Sequence, residues 1–155
     1  MVKIAFDLGG VIIDKQNRAI TDDVMQSVKL IIEKFGNSNV FIISKAKDKW
    51  ITSNNEVLEN SDFYKKTNFA KENLRYCPEY ADKSKICLEL DIDYMIDDEI
   101  KVVRFINQDC NKTIPILFIP KLRSKDDLIR IGIDKNVIQI TKWKTIRKFF
   151  SNVQR

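Results

Sequence analysis

The chain has 155 residues, of which 44% are hydrophobic and 32% charged, which is typical of one globular domain with a sizeable core. It contains no histidine, which excludes Ser-His-Asp and Cys-His catalysis and any metal site with a histidine ligand. It has no apolar run of about 18 residues, as a transmembrane helix needs, and no recognisable signal peptide. We therefore expect a single domain, residues 1–155, in the cytoplasm.

The charge and the cysteine content of the chain limit which partners and metals we expect it to bind. The formal net charge of +5 is densest at residues 121–130 and 142–155, which favours anionic partners, although a solvated surface often has such an excess. Cys77, Cys87 and Cys110 are odd in number and have no C-x-x-C spacing, which predicts buried thiols rather than disulfides or a zinc site. A bound metal should therefore be a hard cation on oxygen ligands, with Mg²⁺ first.

Strands and helices alternate along the chain. The predicted strands are residues 2–6, 39–43, 74–77, 94–96, 114–119 and 137–140. The predicted helices are residues 21–36, capped by Thr21, 48–60, a short one after 61–62, 82–90, 99–108, 122–131 and a last one capped by Thr141. Helical spacing places Trp50, Trp143, Phe149 and Phe150 in the core. This alternation predicts an α/β fold, a three-layer, doubly wound (Rossmann-like) parallel sheet with helices on both faces.

Polar side chains follow three of the predicted strands. Asp7 follows the first, Ser44 the second, and Asp97 with Asp98 follow residues 94–96. The carboxyl ends of neighbouring parallel strands share one edge of the sheet, where α/β folds bind their ligands. Carboxylates from two strands can hold one Mg²⁺, and a free carboxylate beside a bound phosphoryl group can attack phosphorus. The sequence therefore predicts a phosphoryl-transfer site at this edge.

Four motifs resemble those of the haloacid dehalogenase (HAD) superfamily, in the same order and spacing. They are Phe6-Asp7-Leu8-Gly9-Gly10-Val11-Ile12, Phe41-Ile42-Ile43-Ser44, Asp82-Lys83-Ser84-Lys85-Ile86-Cys87 and Tyr94-Met95-Ile96-Asp97-Asp98. The resemblance runs from residue 2 to about residue 119 and covers most of the chain. It implies a HAD-like fold and a Mg²⁺-dependent phosphohydrolase that cleaves phosphomonoesters.

The resemblance also implies a role for each motif residue. Asp7 would be the nucleophile and a metal ligand, and the Gly9 carbonyl a further ligand. Asp98 would bind Mg²⁺ directly, whereas Asp97 would lie beside the metal or bind it through water.

The remaining motif residues would contact phosphate. Ser44 would contribute its hydroxyl and Lys83 its positive charge, with Lys85 as the second choice because the register of this motif is uncertain. Gly10 would contact the phosphate through the loop after the first strand. Lys83 would also take part in catalysis.

One position departs from the usual HAD phosphatase pattern. Most of these enzymes have a second aspartate two residues after the nucleophile as general acid and base, and here that residue is Gly9. A missing acid–base group lowers rates by about 10²–10⁴-fold. Some HAD phosphatases with a similar Asp-Leu-Gly motif are active, and Asp14 could supply a substitute carboxylate. The dehalogenase branch also lacks this aspartate, but its other determinants are not evident here.

The spacing of the motifs bears on substrate and function. The intervals between them hold only core-sized elements, so we expect no sizeable cap domain and an open site. Such a site suits a phosphorylated macromolecule or a nucleotide, and the basic balance allows nucleic acid as a partner. One alternative is a non-catalytic or very slow module that binds phosphate and Mg²⁺, which Gly9 motivates. A second is a phospho-accepting signalling domain of the receiver type, which the order of the motifs disfavours.

Overall fold

The computed structural model describes residues 1–133 and 137–155, which form six strands and seven α-helices. Strands β1 to β6 are Ile4–Phe6, Val40–Lys45, Leu74–Cys77, Tyr94–Asp97, Ile114–Phe118 and Ile138–Ile140. Helices α1 to α7 are Asp22–Phe35, Asp48–Asn60, Phe63–Thr67, Asp82–Leu90, Ile100–Asp109, Lys125–Arg130 and Trp143–Asn152. Short 3₁₀ turns at Asn37–Asn39 and Lys71–Asn73 lead into β2 and β3.

The strands form one parallel sheet in the order β3-β2-β1-β4-β5-β6. The chain runs outward from β1 through β2 and β3, then crosses to β4 on the other side of β1, so the direction of winding reverses between β1 and β4. Open α/β sheets bind ligands at the carboxyl ends of the strands beside such a reversal. The order confirms the predicted doubly wound sheet and differs from the 2-1-3-4-5 order of receiver-like folds.

Two layers of helices cover the sheet. Ile4 and Phe6 of β1 belong to the core that contains side chains of α1, α3 and α7, whereas Ala5 belongs to the core with α4 and α5. All three side chains are fully buried, as expected for a central parallel strand. The ring centroid of Phe6 lies 5.4 Å from that of Trp143 and 6.4 Å from that of Phe150. Helix α7 therefore packs directly behind the strand that carries Asp7.

The observed N-caps confirm one predicted helix start and correct two others. Thr21 caps α1 as predicted, since its hydroxyl accepts from the amide of the third residue on. The predicted cap at Thr141 was wrong, because α7 has Lys142 at its N-cap without a side-chain hydrogen bond. The helix predicted over 122–131 is shorter, Lys125–Arg130, because Ser124 caps it and so sets its start.

The predicted core is mostly confirmed, and Trp50 is the main exception. Trp143 and Phe150 are buried, Phe149 is partly buried, and the three cysteines are free and buried. Trp50 is 52% exposed because it lies in the first turn of α2, which starts just beyond the carboxyl end of β2 rather than over the sheet. Among the described residues, we find no helix with the length and apolar character that crossing a bilayer requires.

Candidate active site

The carboxyl ends of β1 and β4 bring three acidic side chains together. Phe6 pairs with Ile96, and the Asp7 amide donates to the Ile96 carbonyl at 2.8 Å, so the next residues along the two strands are neighbours. One carboxylate oxygen from each of Asp7, Asp97 and Asp98 lies within 4.8 Å of the other two. The predicted meeting of these strand ends is therefore observed, at the point where the winding of the sheet reverses.

Lys83 is the cation at the centre of this cluster. Its side chain is 1% exposed, and its Nζ lies 2.8 Å from Asp7 Oδ1 and 2.6 Å from Asp97 Oδ2. Lys85, two residues further along α4, is exposed and pairs with Asp82 instead. The helix therefore directs Lys83, and not Lys85, into the site.

Burial and the neighbouring charges shift the pKa values of Asp7, Asp97 and Lys83. Burial, and then the negative charge of Asp97, raise the pKa of Asp7 well above its usual range, although Lys83 acts in the opposite direction. Burial also raises the pKa of Asp97. Burial alone would lower the pKa of Lys83, but the charges of Asp97 and Asp7 raise it above its usual range. The cluster thus holds a charged lysine beside carboxyl groups whose burial and mutual repulsion oppose the loss of their protons.

Removing this lysine is expected to destabilise the fold. Lys83→Met should lower the free energy of unfolding by about 3–5 kcal/mol, because it leaves two buried carboxylates without their cation. Urea denaturation followed by circular dichroism measures the loss. Lys85→Met is the matched control on the same helix, and it should change the free energy of unfolding by less than about 0.5 kcal/mol because Lys85 is exposed. Equal effects of the two substitutions would contradict a central role for Lys83.

The oxygen atoms of the cluster fit a hard cation. Both Asp97 oxygens are occupied, one by Lys83 and the other by the amide of Glu99 at 2.8 Å. Asp98 Oδ2 lies 2.6 Å from the Nζ of Lys15, but Asp98 Oδ1 is buried without a hydrogen-bond partner among the described residues. A buried, unpaired carboxylate oxygen commonly marks a water or ion position. A site made of carboxylate oxygens suits Mg²⁺ or Ca²⁺.

Two glycines after Asp7 have different surroundings. Gly10 has a φ of 84°, and a Cβ atom there would collide with the carboxylate of Asp98. Its amide donates to the carbonyl of Ile13 at 2.8 Å, and the phosphate contact of Gly10 stays a prediction. Gly9 has no positive φ, and a Cβ added to it would meet no atom within 4 Å. Gly10 therefore makes room for Asp98, whereas Gly9 leaves open space where most HAD phosphatases have an acid.

The two glycines provide a matched pair of substitutions. Gly10→Ala is expected to lower the free energy of unfolding by about 1–3 kcal/mol, because it forces an L-residue into a left-handed conformation and against Asp98. Gly9→Ala should leave stability unchanged or raise it by up to about 1 kcal/mol. Chemical denaturation of both variants tests this difference. A Gly9 variant as unstable as the Gly10 variant would contradict the described loop.

A cleft of about 450 Å³ opens above the cluster, and Asp7, Gly9, Ser44 and Lys83 line it. Ser44 is at the end of β2, is 3% exposed, and its hydroxyl makes no hydrogen bond within residues 1–133 and 137–155. The hydroxyl is therefore available to a ligand. Asp14 is exposed and does not line the cleft, because its Oδ1 accepts from two amides of its own loop.

Sequence reasoning missed seven residues of this cleft. They are Lys15, Arg18, Lys45, Ala46, Trp50, Asn54 and Tyr80. The helical spacing of Trp50 predicts a core position, and no sequence motif distinguishes the lysines and the arginine of the cleft. A usable signal was present, since an aromatic residue in the first turn of a helix that follows a site strand lies at the ligand-binding edge.

No protein-family model matches the chain, and no curated protein is significantly similar to it in sequence. It is similar in structure to a protein from Burkholderia xenovorans LB400 named a haloacid dehalogenase-like hydrolase, with a TM-score of 0.56 and 7% identity. The alignment covers 83% of this chain and 57% of that protein. The chain has a Rossmann-like fold shared with a HAD-like protein.

A designed protein shows how general this architecture is. A de novo designed Rossmann 3x3 protein, solved by NMR, also has a TM-score of 0.56, with 11% identity over 99% of this chain and 96% of its own. At such identities the likeness concerns the fold alone. The chain also spans little more than half the length of the Burkholderia protein.

Proposed function

We propose that the protein is a HAD-like, Mg²⁺-dependent hydrolase that cleaves phosphomonoesters through an aspartyl phosphate on Asp7. The observation that carries the proposal is the cluster at the reversal of the sheet. One carboxylate oxygen from each of Asp7, Asp97 and Asp98 lies within 4.8 Å of the other two, and Lys83 pairs with Asp7 and Asp97. The structural likeness to a protein named a HAD-like hydrolase supports a hydrolase at a coarse level. The phosphate chemistry is argued from the residues.

Asp7 has one oxygen held and one free. Its Oδ1 accepts from the amide of Leu8 and lies near Lys83 Nζ, both at 2.8 Å. Within the described ranges, 1–133 and 137–155, its Oδ2 makes no hydrogen bond. A carboxylate fixed by one oxygen, with the other facing a cleft, is arranged for nucleophilic attack. We therefore assign the attack on phosphorus to Oδ2.

The reaction proceeds in two displacements. Asp7 Oδ2 forms a bond to phosphorus while the ester P–O bond breaks, and the leaving alkoxide takes a proton from water because Gly9 offers no side chain. A water molecule then attacks the aspartyl phosphate, releases inorganic phosphate and restores the Asp7 carboxylate. Ser44 donates to a phosphoryl oxygen, and Lys83 balances the charge that develops there.

Asp7, Asp98 and the Gly9 carbonyl would hold the metal, with Asp97 beside it or bound through water. When bound, Mg²⁺ supplies positive charge to the phosphoryl oxygens and to the three carboxylates. The unpaired Asp98 Oδ1 supports this assignment, since it needs a partner that residues 1–133 and 137–155 do not supply.

The proposal is tested with a panel of phosphomonoesters, including p-nitrophenyl phosphate, at neutral pH. We expect hydrolysis in the presence of Mg²⁺ and none after EDTA removes divalent cations. Absence of Mg²⁺-dependent release of phosphate from every member of the panel would refute the proposed activity.

A non-catalytic or very slow module that binds phosphate and Mg²⁺ is the second candidate, and Gly9 favours it because the acid–base group is missing. Calorimetry with BeF₃⁻, a mimic of the phosphoryl group on an aspartate, separates the two. Mg²⁺-dependent binding of BeF₃⁻ without hydrolysis of any phosphomonoester would favour the module.

The proposed substrate class is a phosphate group on a larger molecule. Helix α1 and strand β2 occupy the interval between the first two motifs, and α2, α3 and β3 the next, so we expect no cap domain to close the cleft. We also keep the cytoplasm as the proposed location.

A further inference from the structure

Four residues that line the cleft have no part in the proposed phosphate chemistry. They are Arg18, Lys45, Trp50 and Tyr80, which we call the outer wall. Trp50 on this wall is 52% exposed although it is the largest type of apolar side chain. It lies in the first turn of α2, next to the carboxyl end of β2, which carries Ser44. An exposed indole ring within a concave site is a surface on which a planar ligand can stack.

Arg18 is held against this ring. Its Nη2 donates to Asn54 Oδ1 at 2.7 Å and to Ser53 Oγ at 3.0 Å, and its guanidinium carbon lies 5.4 Å from the centroid of Trp50. Both hydrogen-bond partners are neutral, so they fix the guanidinium without compensating its charge. Arginine fixed beside an aromatic ring is suited to contact phosphate and the edges of bases.

A second cation lies on the same wall. The Nζ of Lys45 is 4.8 Å from the ring centroid of Tyr80, and both side chains line the cleft. Within the part of the chain that the structure describes, neither Lys45 nor Arg18 forms an ion pair with an acid. Two other lysines of the cleft, the exposed Lys15 and the buried Lys83, are by contrast paired with carboxylates. The outer wall therefore presents uncompensated positive charge together with aromatic surface.

We propose that the outer wall, formed by Arg18, Lys45, Trp50 and Tyr80, binds the nucleoside part of a nucleotide whose phosphate enters the site at Asp7. The base stacks on Trp50, and the cations attract the charge of the nucleotide. This inference rests on the proposed function for the phosphate end. The volume of the cleft, about 450 Å³, is in the range of small-molecule sites. The ligand is a terminal nucleoside phosphate, either free or at the end of a strand.

Binding is measured by calorimetry in an Asp7→Asn background with Mg²⁺, so that no ligand is consumed. AMP and ribose 5-phosphate form a matched pair of probes, because they share the sugar and the 5′-phosphate and differ by the base. We expect AMP to bind about 5- to 100-fold more tightly, the range that stacking of one base on an aromatic side chain provides. Trp50→Ala should reduce this ratio to about one.

Leu88→Ala is the matched control for this substitution. Leu88 is 56% exposed on α4 and does not line the cleft, so its truncation should leave the ratio of the two affinities unchanged. Because Trp50 and Leu88 are both exposed, both variants should fold. Equal binding of AMP and ribose 5-phosphate, or a ratio that Trp50→Ala leaves intact, would overturn the proposal, as would tighter binding of phosphotyrosine than of AMP.

A 5′-phosphorylated oligonucleotide identifies the source of the ligand. Tighter binding of the oligonucleotide than of AMP, with a steep dependence on salt, supports a strand end, and equal or weaker binding supports a free mononucleotide. Hydrolysis of ribose 5-phosphate by the wild type tests the proposed function separately. If the protein hydrolyses phosphomonoesters but does not bind AMP more tightly than ribose 5-phosphate, only the nucleoside site is overturned. If it binds AMP more tightly in a way that depends on Trp50 but hydrolyses no ester, only the proposed phosphatase activity is overturned.

Discussion

Asp7→Asn is expected to reduce Mg²⁺-dependent hydrolysis of p-nitrophenyl phosphate by about 10⁴-fold or more, because it removes the nucleophile of the reaction. The asparagine keeps an oxygen that can accept from the amide of Leu8. It also replaces a carboxyl group whose pKa burial and Asp97 raise with a neutral amide of nearly the same shape, so the fold should persist. Initial rates measure the loss of activity and circular dichroism measures the retained fold. Acid trapping should recover phosphorylated protein from the wild type and none from Asp7→Asn.

Asp14→Asn is the control for this result. Asp14 belongs to the same loop but is exposed, and the amide oxygen of asparagine can still accept from the two amides that the carboxylate now caps. We expect its rate to stay within about twofold of the wild type, since surface changes of this kind have small effects. A folded Asp7→Asn protein that keeps the wild-type rate would refute the nucleophile, and a loss in the Asp14 variant would restore Asp14 as a candidate acid.

The sheet could be predicted because each strand has a local signature. Residues 4–6 and 40–43 are apolar on both faces, and a short run of this kind is stable only when helices cover it on two sides. The alternation with amphipathic helices then leaves few arrangements for the chain. The bounds of the later elements were less accurate because caps such as Ser124 determine where a helix starts, and several polar residues compete for that position.

The convergence of Asp7, Ser44, Lys83 and Asp97 could be predicted for the same reason. Each lies at a fixed place, at the end of a strand or in the first turn of a helix, so the topology alone brings them together. The choice of Lys83 over Lys85 could not be made from spacing, because it depends on the rotation of α4 about its axis. Burial resolved it, since only Lys83 faces inward.

The outer wall lay beyond sequence reasoning. Arg18 reaches Trp50 across a sequence separation of about thirty residues, and no local pattern encodes that contact. Trp50 fits the helical spacing of the apolar residues of α2. This spacing predicts which face of a helix is apolar, but it does not predict which turns of the helix lie over the sheet. Side chains at such a boundary combine an apolar pattern with solvent exposure, so a sequence pattern assigns them to the core.

At Gly9 the sequence and the structure lead to the same conclusion about a missing side chain. It was identified from the sequence as a missing acid, and the structure adds that the position is open, lines the cleft and has an ordinary backbone conformation. The adjacent Gly10 is constrained by Asp98, so the two glycines are present for different reasons. A Cβ atom at Gly9 would therefore be accommodated without contact to the carboxylates.

Gly9→Asp is expected to raise the rate of phosphomonoester hydrolysis on the order of 10²-fold, because it supplies a group that can protonate the leaving oxygen and activate water. Gly9→Asn is the matched control, since it has nearly the same shape but cannot exchange a proton at neutral pH. The measurement is kcat for both variants and the wild type with Mg²⁺.

Two substrates with different leaving groups distinguish acid catalysis by Gly9→Asp from a general increase in activity. p-Nitrophenolate leaves readily without a proton, whereas the sugar alkoxide of ribose 5-phosphate needs one. The gain from Gly9→Asp should therefore be larger for ribose 5-phosphate, and its pH profile should acquire a limb that the asparagine variant lacks. Equal rates for the aspartate and asparagine variants on both esters would show that the absent acid does not limit this protein, and that proton transfer is provided from elsewhere in the cleft.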